Sequence, residues 1–422
     1  MIRWRKVAQG GAECQAHLGT PASRATRPRS DGIAWQRLAD DSSGWFCVAK
    51  ARRSGYEHPV PSRFPVGEFL ARTRAAQRVL VVDQGFLGDA IHLLPSLWEL
   101  RRNYGAASLE VVTTPVACEV LALAGCADRL WPLELMPDKR SLRAQWRLVR
   151  SLRRQRYDVA VNLNASDRSI ILTGLSGARR RLGLSGGRWH PWYRWCIPHW
   201  LPEPNPDLPV FEHHRQALLS GGFELRTVRF DLRVPDEARA WAEGAVPLGA
   251  IHLSLNSANP LKEWPVRHYV ELSTTVRDRQ PDTSVVVSGT RSAREQSRLD
   301  EFFRVVKDPR VLRLPAGLSI AQLAAALRRC RLHVGSDSGV IHLAMALGVP
   351  TVSLFRQRGG YRAWLPPGEA HQHVLAPCTC ADDRGSKCER RGEPECLAGV
   401  GPGHVAGMVL EALGPVGQGL FP

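Results

Sequence analysis

Val79-Leu-Val-Val82, followed by Gly85-Phe-Leu-Gly88-Asp89-Ala-Ile-His92, is the stretch that decides the fold. A second unit of similar build, Val334-Gly-Ser-Asp337-Ser-Gly339-Val-Ile-His342, lies far downstream. Each unit has an apolar strand, a glycine-containing turn with an acidic residue, and an amphipathic helix. Ligand sites of open α/β sheets form in loops at the carboxyl ends of parallel strands. The two units therefore predict two α/β domains that face a shared cleft.

Length and charge limit the possible classes of protein. A chain of 422 residues is too long for one ordinary hydrophobic core, so two domains with additional segments are expected. The hydrophobic content of 44% is typical of globular domains and excludes a largely disordered chain. The excess of 57 Lys and Arg over 40 Asp and Glu gives a net charge of +17. This charge favours anionic partners such as nucleic acid, phosphorylated substrates or an acidic membrane surface, without choosing among them.

The amino-terminal segment has no pattern of a secretory signal, because no apolar stretch follows Met1-Ile-Arg-Trp-Arg-Lys6. No window of the sequence offers a long uninterrupted apolar span. These patterns predict a cytoplasmic protein. Residues 1–75 have weak periodicity and are interpreted as a partly disordered extension. Residues 76–240 and 241–422 are interpreted as the two α/β domains.

Strands alternate with helical segments in both predicted domains, which indicates parallel βαβ units. A basic amphipathic helix is predicted over residues 141–156, and residues 179–209 interrupt the alternation. The predicted strands lie at 79–83, 109–112, 158–161, 250–253, 284–287, 311–314, 332–334 and 351–354.

Asp89 is the first candidate for chemistry. It follows Gly88 at the start of a helix, where a carboxylate commonly caps free backbone amides. His92 and Pro95 crowd the same helix, so this element is not built for helical stability alone. In a cleft, the Asp89 carboxylate could act as a general base.

The second unit is a candidate anion site. The turn formed by Ser336, Asp337, Ser338 and Gly339 leads into a helix, and free N–H groups at a helix start suit a diphosphate. The alternative is an ordinary tight turn between a strand and a helix. His342 is either a buried core histidine or a hydrogen-bond donor to a phosphate.

Two more residues are candidates for holding a ligand in the second domain. Lys262 lies in Asn259-Pro-Leu-Lys-Glu-Trp-Pro265, after that domain's first predicted strand, and is either a solvated surface lysine or a contact for a phosphate. Glu295 follows the strand at 284–287 and either binds ribose hydroxyls or serves as a first-turn helix carboxylate.

Taken together, these segments resemble the family 9 glycosyltransferases, the bacterial heptosyltransferases of lipopolysaccharide core synthesis. The resemblance rests on Leu87-Gly-Asp-Ala-Ile-His92, on Lys262-Glu-Trp-Pro265 and, as the most specific signal, on the block from Val334 to Pro350. It leaves residues 1–75 unexplained. It implies a GT-B fold of two Rossmann-like domains around a central cleft. It also implies an inverting transfer from a nucleotide-sugar donor, typically ADP-heptose, without a metal or other cofactor.

The resemblance also implies roles on the acceptor side. Asp89 corresponds to the base that deprotonates the acceptor hydroxyl, with Gly88 and His92 beside it. The basic segment that includes Arg179, Arg180 and Arg181 lies where the family's first domain faces its acceptor. A phosphorylated glycolipid at an anionic membrane surface would suit such a segment, so peripheral membrane contact is expected and a nucleic-acid partner is not.

On the donor side, Lys262, His342 and the turn from Ser336 to Gly339 correspond to residues that hold the diphosphate, and Glu295 matches only loosely. Stabilising the charge of this leaving group is the main electrostatic task. The sequence departs from the family at Arg356-Gln-Arg-Gly-Gly360, where Gly-Pro-Thr is common. This difference touches donor recognition rather than the type of reaction.

Two other functions remain open. One is a nucleotide-sugar epimerase of GT-B-like fold, which needs no acceptor. The other is a non-catalytic protein that binds anionic surfaces, since clustered Arg and Trp also suit single-stranded nucleic acid.

Four cysteines near the carboxyl end form a possible metal site for zinc or an iron–sulfur group. Their spacing is irregular and lacks a Cys-x-x-Cys pair, so we expect structural or incidental cysteines rather than ligands. They are Cys378, Cys380, Cys388 and Cys396.

Overall fold

The computed structural model describes residues 65–134, 139–184, 190–202, 205–378, 388 and 393–414. In the first domain, six strands form a parallel sheet, and the buried run of β1 is typical of a strand covered on both faces. In chain order these strands are β1 (Arg78–Val82), β2 (Ser108–Thr113), β3 (Arg129–Pro132), β4 (Val159–Asn162), β5 (Arg180–Leu184) and β6 (His199–Leu201).

The second domain has a sheet of the same kind. Its strands are β7 (Ala250–Ser254), β8 (Val285–Ser288), β9 (Val311–Arg313), β10 (Cys330–Ser336), β11 (Thr351–Gln357) and β12 (His371–Pro377). The spatial orders are β3-β2-β1-β4-β5-β6 and β12-β11-β10-β7-β8-β9. Both sheets have the strand order of a Rossmann fold. In each sheet the chain leaves the first strand in one direction and later returns to its other side, so the order reverses between β1 and β4 and between β7 and β10. Ligands of such sheets bind at these points of reversal.

Helices cover both sheets, and a hydrophobic cluster continues from the first domain into helices of the second. The first domain contains α1 (Phe69–Thr73), α2 (Leu87–Tyr104), α3 (Pro115–Ala124), α4 (Lys139–Gln155), α5 (Asp167–Leu175), α6 (Tyr193–Cys196) and α7 (Val210–Ser220). The remaining helices are α8 (Asp236–Ala245), α9 (Val266–Arg279), α10 (Ala293–Val305), α11 (Ile320–Arg329), α12 (Gly339–Ala346), α13 (Glu395–Ala398) and α14 (Pro402–Leu413). None of these helices has the length and apolar character needed to cross a membrane.

Several predicted boundaries differ from the observed elements. The extension predicted to end at residue 75 includes α1, whose Phe69 is fully buried in the first domain's core. Most of that extension, residues 1–64, lies outside the described residues. The domain boundary predicted at residue 240 falls inside α8. The segment 179–209, expected to interrupt the alternation, contributes β5 and β6, whose short strands carry a weak periodic signal.

Candidate functional site

The two units that decided the fold lie against each other. Helix α2 follows β1, helix α12 follows β10, and the two helices pack together across the domain interface. A Cβ atom at Gly88 would lie 2.9 Å from Cδ2 of His342, and one at Gly339 would lie 2.7 Å from Cβ of Leu87. Each unit therefore uses a glycine to admit a side chain of the other.

A group of aromatic side chains fills this contact. Nε2 of His92 and Nδ1 of His342 are 3.1 Å apart, and both rings are buried. The ring of Trp364 lies 5.3 Å from the His92 ring and 5.5 Å from the His342 ring. Burial lowers the pKa of His342 to about 4 and that of His92 well below its usual value, so both rings are neutral at pH 7.

This arrangement adds contacts that the sequence did not predict. Gly88 and His92 contact the second domain, and their expected place on the acceptor side stays a prediction. His342 hydrogen-bonds to His92 and is the buried histidine that the sequence left as an alternative. Trp364 was not predicted, because it follows the segment in which the sequence departs from the family, and its contacts depend on tertiary packing.

Asp89 lies in the first turn of α2, at the carboxyl end of β1. Its Oδ2 accepts a hydrogen bond of 2.8 Å from the backbone N–H of Phe86, which is the capping contact that the sequence suggests. Burial raises the pKa of the Asp89 carboxyl, while backbone hydrogen bonds and the Lys262 ammonium lower it. The influence of Lys262 comes from the second domain. Asp89 therefore lies within electrostatic reach of the loop after β7.

A second carboxyl group beneath Asp89 was missed by the sequence analysis. Asp83 is buried at the end of β1, and its Oδ1 accepts a hydrogen bond of 2.8 Å from the N–H of Gly85. Burial and, to a smaller extent, the Asp89 charge raise the pKa of Asp83 to about 6, although the hydrogen bond from Gly85 lowers it. A Cβ at Gly85 would lie 2.1 Å from Cβ of Asp89, so only glycine fits between the two acidic residues. The signal in the sequence was an acidic residue ending an apolar strand.

On the second domain's side, Lys262 and Asp337 form an ion pair with Nζ and Oδ2 at 2.7 Å. The two residues follow β7 and β10, the strands between which the sheet order reverses. The backbone carbonyl of Asp337 also accepts a hydrogen bond of 2.9 Å from Oγ of Ser257. The sequence thus identified two residues that the fold brings together from positions far apart in the chain.

A buried acidic residue holds the Lys262 loop in place. Glu263 accepts a hydrogen bond of 2.9 Å from the N–H of Ser257, and it pairs with the guanidinium groups of Arg294 and Arg298. Arg298 also donates to the carbonyl oxygens of Leu255 and Trp264. These contacts fix the backbone on both sides of Lys262. No local pattern indicated them.

Two of the other predicted residues of the donor site have structural side-chain contacts, and a third has no side-chain hydrogen bond among the described residues. Oγ of Ser336 accepts a hydrogen bond of 3.2 Å from the N–H of Trp264 and lies fully buried. Glu295 accepts one of 2.9 Å from the N–H of Thr290 at the start of α10, which is the capping alternative. Oγ of Ser338 is buried without a hydrogen-bond partner in the described part of the chain.

The three arginines at 179–181 lie at the amino ends of the parallel strands, because β5 begins at Arg180 and pairs with the beginning of β4. Asp89 instead follows the carboxyl end of β1. Arg179 forms an ion pair of 3.5 Å with Asp158. Arg181 donates hydrogen bonds to three backbone carbonyl groups. The role expected for these arginines on the acceptor side stays a prediction.

Two of the cysteines near the carboxyl end, Cys378 and Cys396, lie beside Arg356. Nη2 of Arg356 donates to Sγ of Cys378 at 3.3 Å, and Nη1 donates to the carbonyl oxygen of Leu261 in the Lys262 loop. Cys388 is buried, whereas Cys380 lies outside the described residues. Within those residues no group of three or more His, Cys, Asp or Glu side chains could hold a metal ion.

Comparison with known sequences gives one consistent result. Residues 145–391 match the family described as glycosyltransferase family 9 (heptosyltransferase). Lipopolysaccharide heptosyltransferase 1 of Pseudomonas aeruginosa is 26% identical over 362 residues, which cover 80% of this chain and 98% of that protein. Lipopolysaccharide heptosyltransferase 2 of Escherichia coli K12 is 23% identical over 299 residues, or 66% of this chain and 82% of that protein.

Solved structures agree on the fold. A family 9 glycosyltransferase from Veillonella parvula has a TM-score of 0.67 at 18% identity and covers 80% of this chain and 97% of its own. ADP-heptose lipopolysaccharide heptosyltransferase II of E. coli has a TM-score of 0.64 at 18% identity, with 80% and 98% covered. The expected GT-B fold of two Rossmann-like domains is confirmed. This chain belongs to glycosyltransferase family 9, the heptosyltransferase family.

Proposed function

We propose that the protein is an inverting heptosyltransferase that moves heptose from ADP-heptose onto a lipopolysaccharide-core or related glycolipid. Its relatives carry the name lipopolysaccharide heptosyltransferase, and the E. coli structure is that of an ADP-heptose enzyme. The observation that carries the proposal is the position of Asp89, a carboxylate on one domain within electrostatic reach of Lys262 on the other.

In the proposed reaction, Asp89 accepts the proton of the acceptor hydroxyl. The hydroxyl oxygen then attacks the anomeric carbon of the donor sugar from the face opposite the diphosphate. The bond between that carbon and the diphosphate oxygen breaks, and ADP leaves with the bonding electron pair. The new glycosidic bond therefore has the inverted configuration.

Lys262 would stabilise the negative charge that develops on the leaving diphosphate. In this structure its ammonium group pairs with Asp337, and the diphosphate would compete for that ammonium. Asp337 would then contribute to donor binding by orienting Lys262, because its own charge repels a phosphate. The hydroxyl group of Ser338, at the start of α12, could donate a further hydrogen bond to the diphosphate.

A panel of nucleotide-sugars, with and without a glycolipid acceptor, tests this function. We expect ADP-heptose to raise the melting temperature, since a ligand at about 100 times its Kd adds roughly 2.7 kcal/mol to the free energy of unfolding. ADP release should require the acceptor. Conversion of the donor sugar without an acceptor would instead favour an epimerase. Salt-sensitive nucleic-acid binding without donor binding would favour the non-catalytic alternative.

We also propose that the transfer takes place at the cytoplasmic face of a membrane and needs no metal ion or other cofactor. Metal independence is supported by the chemistry of the site. Lys262 can supply the positive charge that divalent ions supply to a diphosphate at other sites. Turnover should persist in excess EDTA. Loss of turnover that a divalent ion restores would reject metal independence and direct attention to Cys378 and its neighbours.

A further inference from the structure

An apolar groove runs between helices α4 and α5 on the first domain. It encloses a cavity of about 220 Å³. Gln84, which directly follows Asp83, is one of the residues that line this cavity. Its Nε2 atom is buried and has no hydrogen-bond partner in the described part of the chain. The apolar part of the wall consists of Leu133, Leu148, Val149, Leu172 and the side chains described next.

Three large apolar side chains at this groove are exposed to solvent. The exposed fractions are 66% for Trp146, 42% for Ile171 and 36% for Leu175. Single exposed apolar residues are common on protein surfaces and need no explanation. These three belong to two neighbouring helices and line the same groove, so they form one apolar surface.

The helix beside this surface is strongly basic. The sequence of α4 contains no Asp or Glu. Its exposed arginines include Arg143, Arg147, Arg150 and Arg154, whose spacing of three or four residues places them along one side of the helix. None of the four has an ion-pair partner in the described part of the chain. Trp146 lies between Arg143 and Arg150 at the same spacing, so the basic and apolar surfaces adjoin.

We propose that this surface, formed by Trp146, Ile171 and Leu175 with the α4 arginines, docks on an anionic lipid bilayer. A helix with an arginine-rich side and neighbouring Trp and aliphatic side chains has the composition of an interfacial membrane helix. The arginines match the negative charge of acidic headgroups, and Trp146 suits the headgroup level. The inference goes beyond the proposed transfer reaction and is independent of the sugar transferred.

Docking here would also bring the membrane close to the acidic pair. Gln84 lines the groove and directly follows Asp83, and Asp89 lies in the first turn of the helix that comes next, α2. An acceptor held in the bilayer could then reach Asp89 without leaving the lipid. By contrast, the segment at residues 179–181 lies at the amino ends of the strands, away from the ends that Asp83 and Gln84 follow.

Sedimentation of the full-length protein with phosphatidylcholine vesicles, with and without phosphatidylglycerol, tests the proposal. We expect binding to the anionic vesicles only, weakening as salt is added. The variant Trp146→Ser/Arg147→Glu/Arg150→Glu should bind these vesicles roughly 10-fold more weakly or worse. Ile171→Ser, which keeps every charge, should reduce the binding that remains at high salt.

The control is a triple variant on the second domain, Val305→Ser/Arg304→Glu/Lys307→Glu. Like the α4 variant, it replaces one exposed apolar residue and reverses two positive charges, so the net charge changes by the same amount. It should bind like the wild type. The proposal is overturned if wild type does not bind anionic vesicles, if neutral vesicles bind equally well, or if the two triple variants behave alike. It also fails if Ile171→Ser binds like the wild type. Donor-induced stabilisation, measured without vesicles, reports separately on the transfer reaction.

Discussion

The β1–α2 and β10–α12 units have the same local build but present their acidic residues differently. Asp89 caps its own helix through Phe86 and has no ion pair among the described residues. Asp337, in contrast, pairs directly with Lys262. Beneath Asp89 lies a second carboxyl group, Asp83, whereas Asp337 has a cation as its neighbour. A like charge raises the pKa of a carboxyl group, so the first unit is suited to accept a proton, whereas the Lys262 ammonium beside the second unit is suited to bind an anion.

The substitution Asp89→Asn tests this difference most strongly. We expect kcat to fall by roughly 10²–10⁴, because the amide cannot accept the proton from the acceptor hydroxyl. Steady-state kinetics and denaturant unfolding should be measured together. Asp337→Asn is the matched control and should mainly raise the KM for the donor. Near-full turnover of the Asp89 variant with unchanged stability would reduce Asp89 to a helix cap.

Asp83→Asn addresses the carboxyl pair. The pKa of Asp83 is raised from 3.8 to about 6, so its ionisation opposes folding. The protonated Asp83 side chain stabilises the fold fully at pH values below the pKa that it has in the unfolded chain. This contribution to the free energy of unfolding is lost as pH rises through about 6. The Asn variant should therefore be more stable than wild type at about pH 8, by about 3 kcal/mol, with little difference at about pH 4.

Unfolding midpoints in urea at both pH values measure this effect. In addition, the acid limb of the pH–rate profile should move to lower pH in Asp83→Asn, because the Asp89 carboxyl loses a negative neighbour. A stability difference that does not change with pH would argue against an ionisable Asp83 in this position.

Lys262→Ala examines the cation of the second unit. Hydrogen bonds to charged groups contribute about 1.5–3 kcal/mol, so we expect the Kd for the donor to rise roughly 10- to 100-fold. Calorimetry with nucleotide-sugar and with the free nucleoside diphosphate would show whether the effect belongs to the diphosphate. Lys307→Ala is the control, since Lys307 donates to the carbonyl oxygen of Phe303 away from the site. Equal affinities of wild type and Lys262→Ala would remove this lysine from the donor site.

Gly339→Ala probes the contact between the two units. The added Cβ would approach Cβ of Leu87 to 2.7 Å, so we expect a loss of about 1–3 kcal/mol in stability. Gly407 lies within α14 with no atom within 4 Å of its position for a Cβ, and Gly407→Ala should stabilise by up to about 1 kcal/mol. Thermal unfolding compares the two. A neutral Gly339→Ala would mean that the helices can separate without cost.

Several parts of the site were predictable because their signals are local. The strand before Gly85 and the strand before Asp337 are apolar runs followed by turn residues, and such patterns do not depend on distant contacts. Lys262 was recognisable from its place after a predicted strand. Short strands such as β5 and β6 were missed because a few residues cannot establish a periodicity.

The sequence by itself determined the pair of parallel α/β domains and the candidate roles of Asp89 and Lys262. These follow from local hydrophobic pattern and from the side chains at strand ends. Only the tertiary structure decided that His92 pairs with His342, 250 residues away, and that Arg179 lies at the amino ends of the strands. The physical reason is that strand register and helix packing fix which side chains meet, and neither is written in the spacing of residues along the chain.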